Sequence, residues 1–421
     1  MILASVRGAL VFHLGFHAYI TYAITALMLI SLGIFSFFKM HNSKSNGELV
    51  FLKNAVTINF IFGIYFTIAT ILLTKQLDPG FMYTFFIYPV VFVLIKFKRQ
   101  WLDFLVYFIT AVTVFGVILF LQIGISGGFD AIEAANLTVR PGELSYSRIG
   151  NNLLPAGYQG DHHDAANILV MCDVLFLTKF ILCERRLLKY LYLVLFGITF
   201  MVVVSTGSSA NIIILIGVSG LALGFVAKRN VYLFSIYVSI GLFFFLLLFD
   251  SIANYFYFID NISQDQSTLE GGGIFNSLNL HSFISSIPSI LFGFSSFLNA
   301  PLQYSEVAFV KILISYGIAP FLIQIFILLS PVYYWLVLKK NYKTIDYSIY
   351  DDKRTEVGLV KKTRTYLLFK LAILGMPSLA GMLTLLHYGS LLRVTSVGLF
   401  CLLLAIYFKE YLQIRYSKIS N

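Results

Sequence analysis

Apolar runs long enough to cross a membrane recur from one end of this chain to the other. They lie near 9–38, 54–74, 81–95, 101–123, 164–183, 190–205, 209–227, 231–249, 305–338, 365–386 and 390–408. A helix needs roughly 20 apolar residues to cross about 30 Å of hydrocarbon. The pattern predicts an all-α, polytopic integral membrane protein with about eleven transmembrane helices; the long first run and the short 190–205 run widen this to about ten to twelve. A soluble core is excluded: with 58% hydrophobic and 12% charged residues, too little polar surface remains to cover it. The first run, with Arg7, His13 and His17 near it, continues to Phe38 without a small-residue cleavage site and reads as a retained span.

Basic residues order the loops. Segments 39–53, 96–99, 184–189, 228–229, 339–364 and 409–421 hold most of the 30 lysines and arginines, and they alternate with loops poor in both. Cytoplasmic loops carry such an excess, so these segments are assigned to the inside and the loop 339–364 is cytoplasmic. The two long polar loops, 124–163 and 250–303, then face outward. The net charge of +10 follows from this topology and implies no nucleic-acid partner. The whole of 1–421 reads as one transmembrane domain. The outer loops are expected to lie against the bundle, with a short amphipathic helix near 284–297. No repeat of the kind seen in many transporters relates the two halves. Pro89, Pro320, Pro331 and Pro377 fall inside predicted spans, where each is either a tolerated kink or a bend beside a cavity. Cys172, Cys183 and Cys401 lie in spans or at their inner ends, so no structural disulfide is expected.

The polar stretch 124–163 holds the residues best suited to chemistry. Arg140 and Arg148 are cations on the side where cations are scarce, and Asn152 follows Arg148 closely. A guanidinium forks onto phosphate oxygens with two parallel hydrogen bonds, so these arginines are either phosphate ligands or surface groups near anionic lipid. Asp161-His162-His163-Asp164 opens the next span. A histidine beside a carboxylate can move a proton near neutral pH; the alternative is a polar helix start. Adjacent helical residues diverge by about 100°, so only one of the two histidines is expected to face a cavity, and no metal site is expected from this cluster. Ser205-Thr206-Gly207-Ser208-Ser209-Ala210-Asn211 forms a hydroxyl- and amide-rich turn that either offers donors to phosphate or sugar or simply caps a helix. Glu306 and Lys311 enter a later span, while His387 and Arg393 bracket the last outer turn. Ionisable groups at that depth face a cavity, pair, or snorkel to the interface.

Arg148-Ile149-Gly150 followed by His163 and an apolar run resembles the arginine-glycine segment of the O-antigen polymerase and O-antigen ligase superfamily. Val204-Ser205-Thr206-Gly207-Ser208-Ser209-Ala210 is similar to its next landmark turn. Leu291-Phe292-Gly293-Phe294, with Ser305-Glu306 and Ile314-Ser315-Tyr316-Gly317-Ile318, resembles its later glycine turn and Gly-Ile span. The likeness covers about 145–320. Ser305-Glu306 stands where the ligases carry histidine followed by Asn or Ser, and Ser209 stands where an arginine is common. Both departures favour polymerase over ligase.

The resemblance implies a glycosyl transfer that uses no metal or other cofactor, on the outer, periplasmic face of a bacterial inner membrane. The donor would be a glycan on undecaprenyl pyrophosphate and the acceptor a lipid-linked repeat unit of O-antigen or capsule. Membrane lipid and a chain-length regulator are the other implied partners. Arg148 is then expected to hold the pyrophosphate, with Arg140 or Arg393 as second cation. His163 or His162 would be the base, and Glu306 the alternative base or a sugar ligand. Asn152, Asp164, Ser208, Lys311 and His387 complete the expected binding surface. Two other readings stay open: a ligase that moves glycan to lipid A core, and a flippase of lipid-linked oligosaccharide.

Overall fold

The computed structural model describes residues 2–42, 48–74, 85–139, 148–149, 152–153, 156–160, 162–227, 290–291, 316–344, 354–387 and 394–416. These form an almost wholly helical chain. In order come α1 (Ile2–Leu14), α2 (Ala18–His41), α3 (Val50–Thr74), α4 (Val90–Leu94) and α5 (Arg99–Val139). A small antiparallel hairpin, β1 (Arg148–Ile149) and β2 (Asn152–Leu153), precedes a 3₁₀ turn at Gly157–Gln159. Then follow α6 (His162–Leu182), α7 (Arg186–Ser205), α8 (Ser209–Ala227), α9 (Ile318–Leu328), α10 (Ser330–Thr344), α11 (Arg354–His387) and α12 (Val394–Tyr416).

Seven helical stretches among the described residues are long and apolar enough to cross a membrane, and the bent pair α9–α10 makes up to eight. This is the make-up of a membrane-embedded protein, and the described residues hold fewer such spans than the expected eleven. The reasons are local. The run 9–38 is not one helix: it breaks at Gly15, which takes a positive φ of 66°, a conformation nearly reserved for glycine. Of the expected span 81–95, the described part holds only the five-residue α4. Ala210–Val226 is apolar but shorter than the seven. The expected span 231–249 and the start of 305–338 lie outside the described residues.

The expected loop 124–163 also begins differently. Helix α5 continues to Val139, through a kink at Gly128 where φ is 73° and ψ −163°. Ala, Glu and Leu beyond the kink favour helix, and Ile132, Ala135 and Val139 are buried on one face. Ala135 and Val139 pack into a cluster with Phe120 and Tyr158.

Prolines at helix starts are mild because the first turn lacks N–H partners anyway. Pro89 immediately precedes α4, and Pro320 and Pro331 lie in the first turns of α9 and α10. Pro377 alone of the four is inside a helix, α11. At the start of α10 the α9–α10 pair bends by 58°, and the Tyr407 hydroxyl donates to the Pro331 carbonyl at 2.7 Å.

Helix α6 is the axis of the bundle. Within its span 89% of residues are buried, against 22% for its hairpin neighbour α7. Leu187, Tyr190, Val194, Ile198 and Met201 line the open side of α7 at helical spacing, a face that costs nothing against lipid tails. Gly381 lets α11 press close: a Cβ there would meet Met171 Sδ of α6 at 2.9 Å and Phe400 Cδ2 of α12 at 2.7 Å.

One end of the bundle is tied by ions. Arg99 Nε pairs with Asp103 at 3.2 Å and its Nη1 donates to the Ile406 carbonyl at 3.3 Å, while Lys409 donates to the Ile95 carbonyl at 3.1 Å. Lys370 pairs with Glu410, and Arg415 with Glu48. These contacts join segments 39–53, 96–99 and 409–421, all in the group that the charge bias put on one side.

Candidate functional site

The opposite end is organised by the 3₁₀ turn, which dips into the helices. Gly157 and Gly160 both take positive φ, 61° and 75°, so the chain reverses twice around Tyr158. The turn has room because two facing residues lack side chains. A Cβ at Gly8 of α1 would lie 2.0 Å from the Tyr158 carbonyl oxygen, and one at Gly116 of α5 would lie 2.9 Å from its amide nitrogen. Tyr158 is only 3% exposed, and its hydroxyl shares a 2.5 Å hydrogen bond with His13 Nε2 at the end of α1. Burial pushes the Tyr158 phenol up from its ordinary pKa, so it remains a hydroxyl at neutral pH.

The anchored turn delivers the chain to the start of α6, where His162, His163 and Asp164 occupy the first turn. The two rings lie 3.8 Å apart between centroids. His162 and Asp164 are buried, and His163 is half-buried. Of the two histidines, His163 is the more exposed.

Across from it, α7 ends and α8 begins in a turn made possible by Gly207, with φ 67°. This turn carries Ser208, which is buried. His163 Nδ1 and Ser208 Oγ are 3.0 Å apart, and the Asn211 amide donates to the same Oγ at 2.9 Å. Two segments of different hairpins, each singled out in the sequence, thus meet through one hydrogen bond. Serine oxygen has two lone pairs. One receives the Asn211 amide; towards His163 Nδ1 the hydroxyl either accepts N–H or donates its own hydrogen, according to the ring's tautomer.

The remaining expected residues divide into two groups. Arg148 is placed by its backbone opposite Leu153, in a hairpin whose other pair is Ile149 and Asn152. His387 ends α11. Arg140, Glu306, Lys311 and Arg393 lie outside the described residues. No group of three His, Cys, Asp or Glu side chains able to hold a metal ion occurs among the described residues.

Several residues of this end escape sequence reasoning. Tyr158, His13 and Gly116 come from three distant segments, and only the flanking glycines around Tyr158 hint at a tight turn. Asn211 belongs to the hydroxyl-rich turn but gives no sign of holding Ser208. Gln159 is buried, and its Nε2 has no hydrogen-bond partner.

No family model matches the chain, and no curated protein matches it in sequence.

Proposed function

We propose that the protein is a polysaccharide polymerase of the O-antigen polymerase type, which transfers a growing glycan from undecaprenyl pyrophosphate to a hydroxyl of a lipid-linked repeat unit. The single observation that carries this reading is the 3.0 Å contact between His163 and Ser208. It joins the segment after the arginine-glycine motif to the serine-rich turn, two of the three landmarks on which the resemblance rests.

In this reading the reaction proceeds on the outer face, in the inner membrane of a bacterium. Pyrophosphate is already a good leaving group, so the demands are modest: cations for the developing phosphate charge and a base for the acceptor hydroxyl. His163, held through Nδ1 on Ser208, presents Nε2 to that hydroxyl. Arg148, just ahead in the hairpin, is the cation, with Arg140 or Arg393 as the second. Losing one such charge-stabilising group costs roughly 2.7–4 kcal/mol of transition-state stabilisation.

The test is complementation of a deletion strain, read as a gel of surface polysaccharide. Deletion should leave a single-repeat, semi-rough pattern. Arg148→Lys keeps the charge and loses the fork, and should fail to restore the ladder. A normal ladder from well-expressed Arg148→Lys would remove Arg148 from the mechanism. Complete loss of attached glycan in the deletion strain would point to ligase or flippase.

A further inference from the structure

Midway along α6, inside a membrane span, sits Asp173 with no exposed surface. Ionisable groups at such depth are costly and are kept where they have work to do. Its surroundings show which protonation form fits. Oδ1 accepts a hydrogen bond from Thr199 Oγ1 of α7, and Oδ2 has no hydrogen-bond partner among the described residues. The same Thr199 oxygen lies 2.7 Å from the Leu195 carbonyl and 3.1 Å from that of Phe196. A threonine hydroxyl has one hydrogen and a carbonyl has none to give. Asp173 Oδ1 and the two carbonyls share that one hydrogen, so a buried carboxylate here would have at most one hydrogen bond, and a carboxyl that keeps its own proton is the form these surroundings fit.

Among the described residues no cation balances a bare carboxylate here. On α6 the ionisable neighbours are Cys172 beside it and Lys179 six residues on, and Lys179 already pairs with Asp103 of α5 at 3.0 Å. The other elements packed against α6 bring Tyr107 from α5, Tyr192 from α7, Lys370 from α11, and Cys401 and Tyr407 from α12; α8 brings none. Lys370 is engaged with Glu410. Uncompensated charge in this setting is strongly unfavourable, so loss of the proton requires the α6–α7 contact to open and admit water.

We propose that Asp173 is a proton-binding site in the bundle, which holds its proton while α6 and α7 are packed and exchanges it when they part. The site is independent of the glycosyl-transfer reading. It is assayed on the full-length purified protein with dicyclohexylcarbodiimide, an apolar reagent for protonated acids within membranes. The acid O–H adds across one C=N bond, oxygen to carbon and proton to nitrogen, and an acyl shift from oxygen to nitrogen then gives a stable N-acylurea with no atom lost.

Peptide mapping should locate the adduct at Asp173, with a labelling rate that falls as the buffer is made alkaline, by no more than about tenfold per pH unit, as the reactive acid form is lost. Asp173→Glu should keep the adduct and Asp173→Asn should lose it. Because mapping on the unmutated chain already reports the site, the result does not depend on how a variant folds. Three outcomes would overturn the proposal: no adduct at Asp173, labelling that is the same at every pH, or protection by sodium at constant pH, which would make this a metal-cation site instead.

Discussion

At its C-terminal end α6 presents Lys179 to Asp103 at 3.0 Å and to the Tyr107 hydroxyl at 2.7 Å, with its ammonium 4.4 Å from the Tyr107 ring centroid. Arg99 completes the cluster on Asp103. At its N-terminal end the same helix presents His162, His163 and Asp164, and there the contact across to α8 runs through neutral hydroxyl and amide groups. The first end holds opposite charges together and leaves them satisfied. The second places a titratable ring, half-buried, beside an oxygen that orients it. The difference is one of chemistry: both are polar and both sit at a helix end, but one is an ion-pair cluster and the other joins an imidazole to a serine hydroxyl.

Substitutions at each end can break this contrast. The largest effect is expected from His163→Ala: roughly a thousandfold loss of ladder-forming activity, the scale of a general base, with thermal unfolding in detergent little changed. An active variant would show the N-terminal end to be scaffold as well. Lys179→Met should do the reverse, removing about 3 kcal/mol of stability by leaving Asp103 short of a partner while activity per folded molecule persists; the unfolding midpoint checks this.

Gly116→Leu probes the wedge that sets up the N-terminal end. It should cost about 2 kcal/mol through overpacking against Tyr158, and it should lower activity as well as stability, because a displaced turn carries His163 with it. A loss of stability with activity per folded molecule unchanged would instead place Gly116 outside the site's support. Ser208→Ala is the mildest: removal of one hydrogen bond is worth about 1 kcal/mol, seen as a roughly fivefold drop in activity. No change in activity would mean that His163 is oriented by other contacts.

Much of the fold is written in one-dimensional signals, because lipid imposes a length and an uncharged composition on every helix that crosses it. Val50–Ala69, Arg99–Gly128, Arg186–Ser205 and Thr395–Arg415 all fall on apolar runs visible in the sequence. The failures are equally physical. A hydropathy run has no way to mark the break at Gly15, where glycine alone reverses the chain inside apolar surroundings. Polarity also misleads at 124–139, where a polar stretch is helical because only one of its faces needs to be apolar.

The sequence by itself determined the class of protein, the helical make-up, and the segments worth watching at His162, His163, Asp164 and Ser208, since these follow from composition and local spacing. It left open which histidine is the more exposed, and it gave no hint that Tyr158 would lie between Gly8 and Gly116 or that Asp173 would meet Thr199. Those relations depend on how helices far apart in the chain come to lie side by side. That arrangement is set by packing and by the few hydrogen bonds available in a bundle where water is scarce, and neither has a signature in the local order of residues.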